Sequence, residues 1–579
     1  MNGSGAPLQL AGRVQSAYSI LVGPDAAPTE RYAAGQLRHY LAQMTGARLA
    51  ITANAERTPL ISVGDTPFAS KVAVPSRYAG DDAFRIRTLG TSLVLKGAMP
   101  RGTLFAVYAF LRRQGCWWFA PDAGPMKGHE EFVPHKAGLT LAPMDVLDQP
   151  AMRYRRQDPG TSYAPNDYAA LADWMAKQGA NTAVFHYRVY EANREAILQA
   201  MQLRDMRIEV GKHEIMSVFL SPKKFGRAHP DWFGLINGRR VPEQKNVVFE
   251  TGNPAAVKTF AENIVAYLKQ RPEIDVFQLW PPDGCRWSQS PESRALGAPS
   301  DRLARLVRQV TLAVKAAGLR TRISTIAYVQ TMRPPRNMKD YSADNILEFC
   351  PIHRNYSVPF DAPQNAVFLK DLRGWLARCP GAVTEYSYYS KESWASLPVV
   401  LPRQIAADMK LWRTLGVCGV NLYNHPDNWL PLEANRDAFA SAAWSSDFDG
   451  GQWYDGWLKA RFGKAAGPMR RFFQSATRSL GVLIPQSMSG DPARFQAMVG
   501  QARKAMEQAL KQADTPGAKW AVDKLAWQAD YLADALRLRL AVYREKSGAD
   551  VEAARTALRT LTEAHADDGT CESGWELRY

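Results

Sequence analysis

Eight short apolar runs, each followed by a stretch of helical spacing, occupy residues 150 to about 440 and leave few architectures open. They cover residues 152–155, 182–185, 215–219, 276–280, 323–328, 346–349, 383–386 and 417–423. Strand-like runs that alternate with helices build parallel sheets, because a parallel pair needs a crossover and the crossover helix covers the sheet. Eight such units predict an α/β fold, a closed (β/α)8 TIM barrel, over residues 150–445. A doubly wound sheet shares this alternation and is the alternative. The spacing is uneven, with a long stretch from Leu220 to Asp275.

The flanks differ from this middle part. Residues 15–145 alternate short strands with helices and predict a small α+β domain. There, Tyr32, Ala33, Leu37, Tyr40, Leu41 and Met44 recur at helical spacing, and Gly46 supplies the stop. A second helix opens near Gly102 and ends before Gly115-Cys-Trp-Trp-Phe-Ala-Pro. Over residues 450–579 the strand signal disappears, and Leu525, Leu532, Leu536 and Leu540 predict a helical C-terminal domain.

Composition bounds the function classes. Hydrophobic residues make up 46% of the 579, enough to build cores and to exclude a disordered chain. No run of about 18 apolar residues marks a membrane-spanning helix. Lys and Arg exceed Asp and Glu by 72 − 56 = 16 charges, which favours acidic partners. The densest basic patches, at residues 153–156 and 302–308, are short, so nucleic acid and membrane are not expected partners. Six cysteines form no CxxC pair and no zinc spacing; Cys350 and Cys379 are open to a bridge, and the others read as small buried residues. No Gly-rich phosphate loop, GxSxG or HExxH occurs, and no metal or cofactor is expected.

In a barrel, residues just past the C-terminal ends of the strands line the reaction site. The chain places His213 and Glu214, then Trp280, Asp283, Arg286 and Trp287, then Tyr328, His353, Arg354, Glu385, Tyr386, Tyr388, Asn421, Tyr423 and His425 at such positions. Carboxylates among Trp and Tyr suit a sugar: aromatic faces cover the pyranose C–H groups, and acids move protons at the glycosidic oxygen. Each residue also has an ordinary structural reading. Asp283-Gly284 fits a turn, Glu385 shares a strand face with Val383 and fits a buried carboxylate paired to an arginine, and the histidines and tryptophans fit core positions.

The segment Leu21-Val-Gly-Pro-Asp-Ala, with Glu30-Arg-Tyr-Ala-Ala-Gly-Gln-Leu and Arg101-Gly-Thr-Leu-Phe-Ala-Val-Tyr, resembles the N-terminal domain of α-glucuronidases and β-hexosaminidases. The barrel part resembles a bacterial glycoside hydrolase family formerly known as a domain of unknown function, whose members act as endo-β-N-acetylglucosaminidases. That resemblance rests on Gly211-Lys-His213, His229-Pro-Asp-Trp-Phe-Gly, Pro282-Asp283-Gly, Cys350-Pro, Arg354-Asn-Tyr356 and Glu385-Tyr-Ser-Tyr388-Tyr389, and spans roughly residues 15–440. One departure stands out: related hexosaminidases often carry adjacent Asp-Glu after the fourth strand, whereas Gly284 follows Asp283 here.

The resemblance implies a secreted or periplasmic glycoside hydrolase of β-linked N-acetylhexosamine, retaining by substrate assistance, with an oligosaccharide or glycoconjugate as partner and a homodimer left open. Asp283 and Glu385 are the expected catalytic pair, and Tyr388 or Tyr328 the expected partner of the acetamido carbonyl. His213, Trp280, Trp287, Tyr328, His353, Arg354, Tyr386, Tyr388, Asn421 and Tyr423 are the expected substrate-binding residues. The alternatives are an α-glucuronidase-like hydrolase, for which the net charge, Arg286 and Arg354 speak, and a non-catalytic glycan-binding protein.

Overall fold

The computed structural model describes residues 6–571, apart from 13, 56–58, 79, 160–166, 337–343, 391–396, 425–426, 484–491 and 544–546. Eight parallel strands close into a barrel: Tyr154–Asp158, Thr182–His186, Arg207–Gly211, Val276–Gln278, Arg322–Ala327, Ile346–Phe349, Val383–Ser387 and Gly419–Tyr423. The first pairs with the last, Tyr154 opposite Gly419 through Asp158 opposite Tyr423, so the sheet has no free edge.

Seven of the eight expected runs become strands with shifts of a few residues. The third does not. Ile215–Phe219 is a short helix, and the strand is Arg207–Gly211, whose Glu209 points into the barrel. A charged residue at an inward position hides the apolar alternation that marks a strand.

The barrel interior is polar. Arg156 lies 2.6 Å from Glu209 and 3.4 Å from Glu348, and it donates to Thr384 at 3.0 Å. Gln278 donates to Glu209 at 3.0 Å, and Asn421 to Glu348 at 2.9 Å. Burial pushes the Glu348 carboxyl up to about 8, against the pull of Arg156. Arg155 and Arg156, two of the three arginines of the basic run seen in the sequence, are thus buried ion-pair partners and present no basic surface.

Before the barrel lies a six-stranded mixed sheet, in the order Asp145–Asp148, Phe84–Leu89, Ser92–Gly97, Leu60–Val63, Ser19–Val22, Ala50–Thr52. Helices Pro28–Thr45 and Pro100–Arg113 pack on it and on each other. The first ends at Gly46 with φ 78°, the left-handed stop expected there. A buried carboxylate fastens this layer to the barrel. Asp82 accepts from Arg101 at 2.6 Å, from Arg155 at 2.6 Å and from Asn181 at 2.7 Å. Burial alone would raise Asp82, but these guanidinium groups hold it well below the usual carboxylate range.

From Gly450 onward the described elements are helices, including Gly450–Phe462, Pro492–Gln512 and Gly548–Glu563. The six cysteines are free, Cys350 and Cys379 among them, and all but Cys418 are buried. Among the described residues no helix is long and apolar enough to cross a membrane.

Candidate functional site at the barrel mouth

Side chains alternate along a strand, so each strand offers the mouth every second residue. On the seventh strand Thr384 meets Arg156 inside the barrel, and Tyr386 donates to Asp158 at 2.5 Å. These two fix the inward face. Tyr388, two residues further on, continues it, with its ring 5.0 Å from that of Tyr386.

A chain of rings follows around the mouth. His213 lies 6.0 Å from Tyr328 and 5.1 Å from Trp280; Trp280 lies 6.1 Å from Tyr386; Tyr388 lies 5.8 Å from Tyr423. Six of the expected substrate-binding residues, His213, Trp280, Tyr328, Tyr386, Tyr388 and Tyr423, therefore stand in one wall.

The floor of this cup is an ion pair. Asp158 ends the first strand, fully buried, and both its oxygens accept from Lys212 Nζ, at 2.6 and 2.5 Å. Burial alone would raise the Asp158 carboxyl; Lys212 and the hydrogen bonds from Lys212 and Tyr386 bring it below the usual range, so it is a carboxylate at neutral pH. Lys212 follows the third strand with φ 78°, a left-handed conformation that costs a non-glycine residue energy and is over-represented at functional sites. His186, at the end of the second strand, is pushed down to about 3 by burial and by Lys212, and is neutral.

His213 Nδ1 donates to the Pro281 carbonyl at 2.8 Å when its proton sits on Nδ1, which leaves Nε2 as an acceptor. Burial lowers this imidazole, while the charges of Asp283 and Asp158 both act on it in the opposite sense. His213 thus sits within electrostatic reach of the two carboxylates. Asp283 is exposed on the loop after the fourth strand, where its Oδ1 accepts from the Gly284 N–H at 3.0 Å.

The structure moves several expected residues away from the cup. Glu385 lies between the inward-facing Thr384 and Tyr386 and so points outward, into the layer between strand and helices. It is fully buried, accepts from Ser387, and lies near Arg354 and Asp408. Burial, opposed by the Arg354 charge, pushes its carboxyl up to about 8. The expected Asp283–Glu385 pair is not formed: strand alternation sends Glu385 to the wrong face. Arg354 is in the same outer layer, 2.9 Å from Asp408 of helix Pro402–Leu415, with its guanidinium 4.0 Å from the Tyr356 ring centre. Asn421 faces inward but one layer below the cup, level with Arg156. Trp287 is buried in the loop beside Cys285, outside the chain of rings, and His353 is exposed on the loop after the sixth strand. Arg286 is exposed and bound to Gln244, and His425 lies outside the described residues.

The family described as a domain of unknown function, DUF4838, matches residues 126–474, more than half of the chain and the whole barrel. The chain belongs to the DUF4838 family. No curated protein matches it. Among solved structures it is similar to a family GH115 4-O-methyl-α-glucuronidase with specificity for decorated arabinogalactans: TM-score 0.63, 16% identity, 98% of this chain and 78% of that one. A GH138 enzyme targeting pectin rhamnogalacturonan II follows, with TM-score 0.60, 11% identity, and 94% and 74% covered. The Flavobacterium johnsoniae chitobiase of family GH20 has TM-score 0.53 and 11% identity, with 98% and 95% covered. At these identities the likeness is one of fold. In this DUF4838 chain the mouth also holds Asp158, His186 and Lys212, which sequence reading did not select. Ending the first strand at Arg155 placed Asp158 in a loop; carrying the inward alternation of Tyr154 and Arg156 two residues further would have found it.

Proposed function

We propose that this protein is a glycoside hydrolase, and that its substrate is a β-linked N-acetylhexosamine, GlcNAc or GalNAc, within a glycan. The observation that carries this reading is the cup itself: a wall of Trp280, Tyr328, Tyr386, Tyr388, Tyr423 and His213 over an ionised, immobilised Asp158, with Asp283 on the rim. Aromatic rings bind pyranose C–H faces. The Trp280 indole N–H, buried without an acceptor among the described residues, leaves one donor of the wall unmet.

The mechanism is retaining and substrate-assisted. Asp283 protonates the leaving oxygen while the substrate's acetamido oxygen attacks C1 and the C1–O bond breaks. Asp283 then takes a proton from the water that reopens the ring intermediate. Asp158 takes the second acid role, which Glu385 cannot fill, and stabilises positive charge at the acetamido nitrogen and C1. Tyr388 or Tyr328 donates to the acetamido carbonyl.

A second reading is hydrolysis of a uronide. The excess of 16 positive charges favours an anionic glycan, and the GH115 α-glucuronidase shares the fold. Hydrolysis of 4-nitrophenyl β-N-acetylhexosaminides and of a chitobiosyl glycopeptide, against 4-nitrophenyl glucuronides, separates the two. The N-acetylhexosaminides are expected to turn over, with Asp283→Asn slower by at least about 10²-fold, the usual scale of general acid–base help. Turnover of glucuronides alone reverses the choice, and sugar binding without turnover of any substrate removes the enzyme reading.

A further inference from the structure

A cavity of about 360 Å3 opens at the opposite end of the barrel from the ring wall, where the N-terminal layer, the last barrel helix Trp429–Trp444 and helix Gly450–Phe462 meet. Its size falls in the range of small-molecule sites. Its walls are aromatic. Trp117 and Trp453 stand edge to face with centres 5.9 Å apart, Phe448 lies 5.8 Å from Trp453, and Trp444 lines the other side.

The polar groups in this cavity are few and of one dominant sign. Arg112 lies with its guanidinium 5.9 Å from the Trp117 ring centre. It donates to the Lys177 carbonyl at 3.2 Å and to Gln178 at 3.1 Å, and among the described residues no carboxylate is in direct ion-pair contact with it. Burial costs this guanidinium its hydration and lowers it; the charge of Asp437, which accepts from Gln178 at 3.0 Å but does not line the cavity, opposes that only in part, so a further anion on Arg112 is favoured. Arg113 adds a second cation, while Lys177 is already paired with Asp173 at 2.6 Å. The single carboxylate of the lining, Asp148, accepts from the Trp444 indole at 3.0 Å and has lone pairs left for hydroxyl donors.

We propose that this cavity is a non-catalytic binding site for a carboxylate-bearing pyranose: the carboxylate on Arg112, the ring faces on Trp117 and Trp453, and a hydroxyl on Asp148. An arginine fork fits a carboxylate, flat aromatic faces fit the sugar ring, and the excess of 16 positive charges draws acidic glycans to the molecule. The site does not depend on the activity proposed for the cup, from which the barrel separates it.

Calorimetric titration with methyl β-D-glucuronide, beside methyl β-D-glucoside, tests this in the full chain. The glucuronide is expected to bind saturably and more weakly as salt rises, with the glucoside at least about tenfold weaker, as a charge-assisted bond to a carboxylate implies. Arg112→Gln and Trp453→Ala are each expected to weaken glucuronide binding by at least about tenfold, whereas Trp280→Ala, in the cup, leaves it unchanged. Trp453 is half-buried on the outer helix, so its variant keeps the test open where Arg112→Gln lowers the melting temperature. Absence of saturable binding, equal affinity for the glucoside, or loss of binding in Trp280→Ala with retention in the two cavity variants overturns the proposal.

Discussion

The difference between Tyr386 and its neighbour Glu385 shows how much one position along a strand decides. Tyr386 reaches the Asp158 carboxylate in the cup, whereas Glu385 is sealed behind the sheet with Ser387 and near Arg354. The ring wall was legible in the sequence because aromatic residues cluster just past strand ends. Glu385 was misplaced although alternation already forbade Glu385 and Tyr386 from sharing a face. A glutamate held up at about 8 has a definite pH signature. Between its ordinary pKa and about 8 the native state holds a proton that the unfolded chain has lost, so stability falls as pH rises through that window and levels off above it. Glu385→Gln removes this dependence. Its melting temperature is expected to gain on the wild type progressively from pH 5 to about 8, and turnover at the cup to stay within a few-fold. A constant offset across pH, or loss of turnover at full folding, contradicts this placement.

At the scale of elements, the barrel was readable wherever β-branched and aromatic runs face apolar surroundings, and unreadable where the interior is polar. Arg207–Gly211 escaped notice because Glu209 faces Arg156, while Ile215–Phe219 looked like a strand but winds into a helix. The stretch Gly211-Lys-His213 nonetheless lies at the barrel mouth, because it sits at the end of the true strand. Gly211 has φ 154°, and a side chain there would collide with the Gln278 backbone of the neighbouring strand. Gly211→Ala must therefore push the third strand from the fourth and shift Lys212 away from Asp158. A loss of about 1–3 kcal/mol by denaturant unfolding is expected, with turnover falling by more than the unfolded fraction explains. Unchanged stability and turnover would mean that this close approach does not fix Lys212.

At the scale of the molecule, the layers are held together by buried charges as well as by apolar contact. Asp82 joins Arg101 of the N-terminal layer to Arg155 of the first barrel strand, and neither its role nor the burial of Arg155 and Arg156 could be read from spacing alone. Long-range ion pairs leave no periodicity in a sequence. Asp82→Asn leaves the buried Arg155 without its carboxylate and Arg101 with only the partly exposed Asp205 at 3.8 Å, and unfolding is expected to become easier by about 3–5 kcal/mol. A melting temperature within a degree of the wild type would show that Asp82 does not bind the layers.

The cup at the C-terminal mouth is the proposed place where a sugar is held for reaction. The most direct measurement is a crystal structure with a bound N-acetylglucosamine thiazoline, which mimics the intermediate of a substrate-assisted reaction. The predicted result is a pyranose ring against Trp280 and Tyr386, with the thiazoline nitrogen on Asp158 and Asp283 at the C1 oxygen position. A thiazoline bound outside this ring of aromatic residues, or one contacted by neither Asp158 nor Asp283, would contradict it.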